Sequence, residues 1–302
     1  MKIIREINQI KKYRKPVVAL GVFDGVHLGH RIILRNVVAK AHSIKGTSVV
    51  VTFWPHPQKE ESLYSLEHRL RLIEELGIDI CIVIAFNKQF ARISAISFVE
   101  DILLKKVGVQ YVYVGKNFRF GRNASGDLQL LQKLSRIHNF KLRHFNVVRI
   151  NHRPISSTYI RRLIKRGDLA NATKLLTRPI SILGTVIRGT AFARRFGFPT
   201  ANIDPHHEIF PPKGIYAVKI ILENSKFNGI CYIGSRPTMN ARNRKVHIEV
   251  HIFGFKKNIY GKYLEIQFIK KIRNDKKFSR VSLLVKQIQK DTILTKTLFS
   301  LH

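Results

Sequence analysis

The feature that most constrains this chain is a change of hydrophobic period part-way along it. Through residue 140, short β-branched runs alternate with segments whose apolar residues recur at helical spacing. Residues 15–23 (KPVVALGVF), 48–54 (SVVVTFW), 79–86 (DICIVIAF) and 111–115 (YVYVG) read as buried strands. Residues 31–44, 65–76, 96–108 and 128–140 read as the helices between and after them. Strand–helix alternation implies βαβ units and a largely parallel sheet with helices on both faces. Right-handed crossovers make this a doubly wound α/β domain, which binds ligands at the carboxyl ends of its strands.

From Ile180 onward the helical segments stop. Residues 181–189 (SILGTVIRG), 214–222 (GIYAVKIIL), 226–234 (KFNGICYIG), 245–255 (KVHIEVHIFGF) and 263–272 (YLEIQFIKKI) are short β-rich runs punctuated by Gly, Pro and Asn. A helix returns only at residues 280–299. Closely spaced strands with turn signals predict an antiparallel barrel, here closed by a C-terminal helix. The expected fold class is therefore α/β plus β, with a boundary at Arg178-Pro179 and domains of residues 1–178 and 179–302. No internal repeat or low-complexity linker interrupts either half.

Lysine and arginine outnumber aspartate and glutamate 54 to 19, a formal charge of +35. Such a field attracts polyanions, whether nucleic acid, acidic membrane or nucleotide substrates. The basic residues are scattered (KKYRK, RRLIKR, RNRK, KKIRNDKK) and form no single tail, so charge alone does not choose among these. With 45% hydrophobic and 24% charged residues, global disorder is excluded. No apolar run approaches the roughly 20 residues that span a bilayer. The opening MKIIREINQIKKYRK has no apolar signal-peptide core, so no membrane partner is expected. Cys81 and Cys231 lie in apolar stretches, which excludes a disulfide scaffold, fits a reducing cytoplasm and predicts buried, inert thiols.

Residues 21–30, GVFDGVHLGH, stand directly after a strand and directly before a helix. Gly21, Gly25 and Gly29 let backbone approach a ligand closely, and the following helix offers free N–H groups to phosphate. His27 and His30, three apart, lie on one face of a first helical turn, aimed at the same phosphate. The segment is neither a Walker loop nor a dinucleotide GxGxxG. Zinc fits poorly, because a nearby third ligand is missing.

GVFDGVHLGH resembles the HxGH signature of adenylyl- and cytidylyltransferases, in the version found in bacterial FAD synthetases. TFWPHP (52–57), VGKNFRFGRNASGD (114–127) and ISSTYIRRLIKRGDLANATKLLTRP (155–179) match that family in order and spacing. The second half resembles the riboflavin kinase module in GFPTAN (197–202), PPKGIYAV (211–218), YIGSRPT (232–238), IEVHIF (248–253), IYGK (259–262) and IRNDKKF (272–278). The resemblance runs from about residue 15 to the C-terminus. It implies the bifunctional riboflavin kinase/FMN adenylyltransferase family: a Rossmann-like nucleotidyltransferase domain, then a β-barrel riboflavin kinase domain, acting in the cytoplasm on riboflavin, FMN and ATP with Mg²⁺.

In the adenylyl transfer that the resemblance implies, the FMN phosphate attacks the α-phosphorus of ATP and pyrophosphate leaves. The nucleophile is already an anion, so the protein must position reactants and neutralise charge. His27, His30 and the adjacent helix N-terminus suit that task. By resemblance, Arg161 binds pyrophosphate, Asn117 contacts substrate, and Gly21, Phe23, Gly25, Gly29, Ser157 and Thr158 complete the binding site. Phe53, Pro55 and Phe120 offer apolar surface for an isoalloxazine ring, though Phe53 and Phe120 taken alone read as core.

Riboflavin phosphorylation differs, because a neutral hydroxyl must attack the γ-phosphorus. That step calls for a metal to gather phosphate charge and a carboxylate to accept the proton. Thr200 and Asn202 supply hard oxygen ligands for Mg²⁺, and Glu249 stands at the family's base position. Without the resemblance, Glu249 reads as an outward-facing strand carboxylate. Arg194 and Arg273 are expected to bind substrate.

Three positions depart from the family pattern: Ala193 for a glycine before Arg194, Tyr232 for an asparagine, and Gly254 for an aspartate. An alanine at a position needing positive φ would slow ATP binding. The alternatives are an enzyme with only the adenylyltransferase active, and an RNA-associated protein on a nucleotide fold. The second lacks any recognised RNA-reading motif, and no specific nucleic acid is expected.

Overall fold

The computed structural model describes residues 1–57, 61–189, 193–206, 208–235 and 246–300. They form two compact units that divide between Ser157 and Thr158.

The first unit carries six parallel strands: β1 (Lys2–Ile4), β2 (Val17–Leu20), β3 (Ser48–Trp54), β4 (Ile80–Ala85), β5 (Tyr111–Gly115) and β6 (Lys141–Phe145). Their order across the sheet is β1-β4-β3-β2-β5-β6. Helices α1 (Leu28–Ser43), α2 (Leu66–Glu74), α3 (Ala95–Ser97, running on in π-helical form over Phe98–Val107) and α4 (Leu128–Ile137) make the crossovers. From β2 the chain winds outward to β3 and β4, then returns to the other side of β2 to start β5. The strand order therefore reverses between β2 and β5. Their carboxyl ends open on residues 21–30 and 116–127, the crevice where doubly wound sheets take ligands.

Val18, Leu20, Val49, Val51, Ile82, Val112 and Val114 pack against Phe98, Val99, Leu103, Leu131 and Leu134. The alternate residues Val17, Ala19 and Val50 are also fully buried, so helices cover both faces. A short antiparallel ribbon, β7 (Arg149–Ile150) with β8 (Arg153–Pro154), completes the unit.

Two strands correct the sequence reading. β1, in the opening segment to which the sequence reading assigned no element, pairs along β4 and buries Ile4. β6 (KLRHF), after the helix read over residues 128–140, pairs with β5 and is a strand to which the sequence reading assigned no element. Both are edge strands, and edges are short or charged because an apolar edge would recruit other chains.

The second unit contains α5 (Ser157–Arg166) from its second residue, then α6 (Leu169–Leu176). Six antiparallel strands follow: β9 (Ile180–Ile187), β10 (Ala201–Asp204), β11 (Gly214–Leu222), β12 (Ser225–Ser235), β13 (Val246–Ile252) and β14 (Tyr263–Arg273). They close into a barrel in the order β10-β13-β12-β11-β14-β9, with β9 returning to β10. The terminal helix is α7 (Val281–Ser300). β10 was not expected as a strand; it is four residues long, follows Pro199 and contains the polar Asn202. Ile182, Val218, Ile220, Ile233, Val250, Leu264, Ile266 and Phe268 are buried residues of the barrel strands.

Cys81 on β4 and Cys231 on β12 are buried free thiols. Burial pushes the Cys81 thiol up to about 12 and raises Cys231 as well, so neither is a reactive thiolate at neutral pH.

Candidate active sites

At the switch point of the first unit, β2 passes into a loop whose backbone is unusual at Phe23 (φ 54°), Gly25 (φ 79°) and Val26 (φ 39°). Gly25 has two reasons to be glycine: its positive φ, and Leu63, whose Cδ1 would lie 2.5 Å from an added Cβ. Buried polar groups hold the loop from several sides. The Val22 carbonyl accepts from Thr52 Oγ1 at 2.8 Å and from Arg69 Nη1 at 2.6 Å. Arg69 Nη2 also donates to the Phe53 carbonyl at 3.2 Å, tying the loop to the end of β3. The Asp24 carboxylate accepts from the Leu63 N–H at 2.9 and 3.1 Å, and Ser157 Oγ donates to the Asp24 carbonyl at 2.9 Å.

Asp24 and Arg69 are only 2% and 1% exposed. Burial lowers the Arg69 pKa while the Asp24 charge raises it, a buried cation balanced by a buried anion. Replacing Arg69 by Met keeps the bulk and removes the guanidinium fork. We expect this to destabilise the first unit by about 1.5–3 kcal/mol or more, the order of a hydrogen bond to a charged group. A chemical denaturation midpoint indistinguishable from the parent chain would refute that expectation.

The loop delivers His27 to the N-cap of α1, where its Nδ1 accepts from the His30 N–H at 3.4 Å. The two imidazoles stack with centroids 3.6 Å apart, and the Phe23 ring packs edge-on to His30. Gly29 makes this possible, because a Cβ there would press on the His27 ring at 3.3 Å. With Nδ1 accepting, the neutral His27 ring carries its proton on Nε2, as a donor.

Phe53 and Phe120, expected against a flavin, are 7% and 6% exposed and belong to the core, with Phe98 between them. Half-buried Phe86, Phe90 and Phe118 pack against that cluster. Pro55 follows a cis peptide bond and is exposed, as is Asn117 after β5. Thr158 and Arg161 lie in α5, with Arg161 Nη1 donating to Thr158 Oγ1 at 3.4 Å. They belong to the second unit, whereas Ser157 closes the first.

Two cavities open in the barrel unit. One, of about 540 Å³, has the basic side chains Arg194, Lys256 and Lys257 and the polar Thr200 and Asn202 on a wall that also carries apolar residues such as Val250 and Ile252. The other, of about 350 Å³, is lined by Phe196, Phe198, Thr200, Tyr232, Glu249, Arg273 and Phe278 among others, mixing aromatic rings with a few polar groups. Thr200 belongs to both. Register explains the cluster around it, since Asn202 on β10 and Tyr232 on β12 both pair with Glu249 on β13. Thr200 Oγ1 donates to Glu249 Oε2 at 3.1 Å, and His247 Nε2 lies 2.5 Å from Glu249 Oε1.

The Asn202 side-chain carbonyl oxygen is buried and has no hydrogen-bond partner among the described residues. Arg273, on the wall of the smaller cavity, pairs with Asp291 of α7, its Nη2 at 2.8 Å and its Nε donating to both oxygens. No group of three His, Cys, Asp or Glu side chains converges on a metal site among the described residues.

Residues 9–159 match the family described as FAD synthetase, and residues 176–299 match riboflavin kinase. The chain is 37% identical to the bifunctional riboflavin kinase/FMN adenylyltransferase of Buchnera aphidicola (subsp. Schizaphis graminum), over the full length of both. It is 35% identical to that of Haemophilus influenzae, covering 99% of this chain and all of the relative.

The chain belongs to the bifunctional riboflavin kinase/FMN adenylyltransferase family.

A solved structure described as a macrolide-efflux protein from Streptococcus pneumoniae also superposes with a TM-score of 0.84 at 27% identity, covering 98% of this chain and 99% of that one. Among the described residues, no helix is long and apolar enough to cross a membrane.

The chain accommodates its departures from the family pattern locally. Ala193 opens a right-handed helical turn, Ala193–Phe196, a conformation that costs alanine nothing. Gly254 takes φ 68°, a backbone state that favours glycine over the family's aspartate. Tyr232 lies over Gly234, which has no side chain to obstruct it, and its hydroxyl donates to Asp275 Oδ2 at 3.4 Å. Burial, then the Asp275 charge, pushes the Tyr232 phenol up to about 12, so it stays protonated. Residues 236–238 of the YIGSRPT segment lie outside the described residues.

Motif matching passed over Arg69 and His247, and gave Thr52, the first residue of TFWPHP, no role of its own. Arg69 had a visible signal: it sits on the inward stripe of α2, between Leu66 and Ile73 at helical spacing, where an apolar residue is the rule.

Proposed function

We propose that the chain phosphorylates riboflavin to FMN in its barrel and adenylylates FMN to FAD in its parallel-sheet domain, with Arg178-Pro179 as the functional divide. The observation that carries the kinase half is the Thr200–Glu249 pair, standing where a cationic cavity and an aromatic one share a wall. ATP phosphates suit the side with Arg194, Lys256 and Lys257, and a flavin suits the side with Phe196, Phe198, Tyr232 and Phe278. The riboflavin terminal hydroxyl then meets the γ-phosphate beside Glu249, which accepts its proton. Arg273 is held by Asp291 as part of the flavin-side wall.

Mg²⁺ fits the donors present. The buried Asn202 carbonyl oxygen has no partner among the described residues, and Thr200 gives its single proton to Glu249, keeping its lone pairs for a cation. Bound there, Mg²⁺ would neutralise phosphate charge; Thr200 and Asn202 would hold it, while Glu249 handles the proton.

For FAD synthesis, the polar ties on Val22 and Asp24 fix the loop, and His27 Nε2, His30 and the α1 N-terminus bind the phosphates and stabilise charge on the α-phosphorus. Gly21 and Asn117 complete substrate binding, Pro55 with the aromatic cluster behind it faces the flavin, and the family resemblance alone assigns Thr158 and Arg161 to phosphate binding. Scattered positive charge steers anionic substrates rather than marking a specific nucleic-acid partner, and the setting is the cytoplasm.

Incubation with riboflavin, ATP and Mg²⁺, followed by separation of the flavins, tests the whole reading. FAD as end product supports both halves, and FMN alone would remove the adenylyltransferase. Neither product would favour the RNA-associated alternative.

A further inference from the structure

We infer that His247 is a positioning residue for phosphoryl transfer, holding the Glu249 carboxylate in the orientation from which it takes the riboflavin proton. The inference rests on the assignment of Glu249 as the base. His247 stands just before the IEVHIF segment that carried the family resemblance, so motif comparison does not reach it.

His247 and Glu249 are two apart on β13 and therefore project from the same face of the strand. His247 Nε2 lies 2.5 Å from Glu249 Oε1, while Thr200 Oγ1 donates to Oε2 at 3.1 Å. A glutamate's terminal torsion is soft, so one tie leaves the carboxylate free to rotate. Two donors, one on each oxygen, fix its plane. An ionised carboxylate can only accept, so in this contact the imidazole Nε2–H donates.

An ionised carboxylate has about four acceptor positions, and the substrate hydroxyl needs one of them. In the step itself the riboflavin oxygen bonds to the γ-phosphorus. The bond from that phosphorus to the bridging oxygen of ADP breaks, and ADP leaves with the electron pair. The hydroxyl proton passes to Glu249. His247 keeps its own proton and touches no reacting atom. The side chains of His247 and Glu249 are 18% and 24% exposed, so the protonated carboxyl can return its proton to water between turnovers.

The test uses the full chain with His247→Ala and His247→Gln. Riboflavin phosphorylation and FAD synthesis from supplied FMN are measured on the same preparations. We expect His247→Ala to lower kcat for FMN formation about 10–10²-fold, the order of loss when a reacting group is misplaced by about 1 Å. KM for riboflavin and ATP should change little, and FAD synthesis from FMN should not change. Glutamine, whose amide N–H can reach the same oxygen, should restore most of the rate.

In a Glu249→Gln background, His247→Ala should add no further loss, because the two residues act as one unit. The inference is overturned by a parent-like kcat in His247→Ala, by failure of glutamine to rescue, or by a loss that multiplies with Glu249→Gln. A damaged Glu249→Gln beside an undamaged His247→Ala sinks the inference alone. An active Glu249→Gln sinks the base assignment beneath it.

Discussion

Glu249→Gln is expected to cut riboflavin phosphorylation by about 10²–10⁴-fold, the usual worth of general-base catalysis, while FAD synthesis from supplied FMN continues. The amide keeps the shape of the side chain and can still accept from Thr200, but it can no longer take a proton. The attacking group in the kinase reaction is a neutral hydroxyl whose proton must go somewhere as the oxygen bonds to phosphorus. In the other reaction the FMN phosphate is already ionised, so it asks for no such acceptor. Thr200→Ala and Asn202→Ala should give the same split with a raised Mg²⁺ or ATP requirement. Assaying the two half-reactions separately decides the matter. Intact FMN formation in Glu249→Gln would end the assignment, and equal damage to both reactions would mean that the barrel supports the first domain structurally.

The mirror-image result is expected from the switch-point loop. In His27→Ala/His30→Ala, FMN should accumulate from riboflavin while its conversion to FAD collapses. The loss of one preorganised donor to a developing charge typically costs about 10²–10³ in rate. The pair should act as a unit, because the stacked rings make each imidazole part of the other's placement. The double substitution is therefore expected to cost less than the product of two independent losses. A normal rate of FAD formation from supplied FMN would show that these imidazoles are not the phosphate clamp.

Legibility of the fold followed burial. β3, β4 and β5 have both faces covered, so their sequences are continuous apolar runs that cannot be mistaken for surface. β1, β6 and β10 escaped notice for the opposite reason: each is short, polar or at an edge, and its strand state is imposed by a neighbour's hydrogen bonds. The sites divided similarly. His27, His30, Thr200, Asn202 and Glu249 sit in motifs whose order along the chain is diagnostic. Arg69 and His247 matter through contacts made by folding: Arg69 reaches residues 16 and 47 positions away, and His247 reaches a carboxylate whose role had itself to be inferred by resemblance.

The sharing of Thr200 between the two barrel cavities also bears on inhibitor chemistry. A flavin-like compound confined to the aromatic side leaves the cationic side accessible, and a nucleotide analogue does the reverse. A molecule that reaches past Thr200 can occupy both. Joining two weak fragments across that residue makes the second binding event intramolecular, so affinity grows through effective concentration without new contacts. A lining residue common to both cavities favours a short tether. One made too long gives back the gain as lost chain entropy.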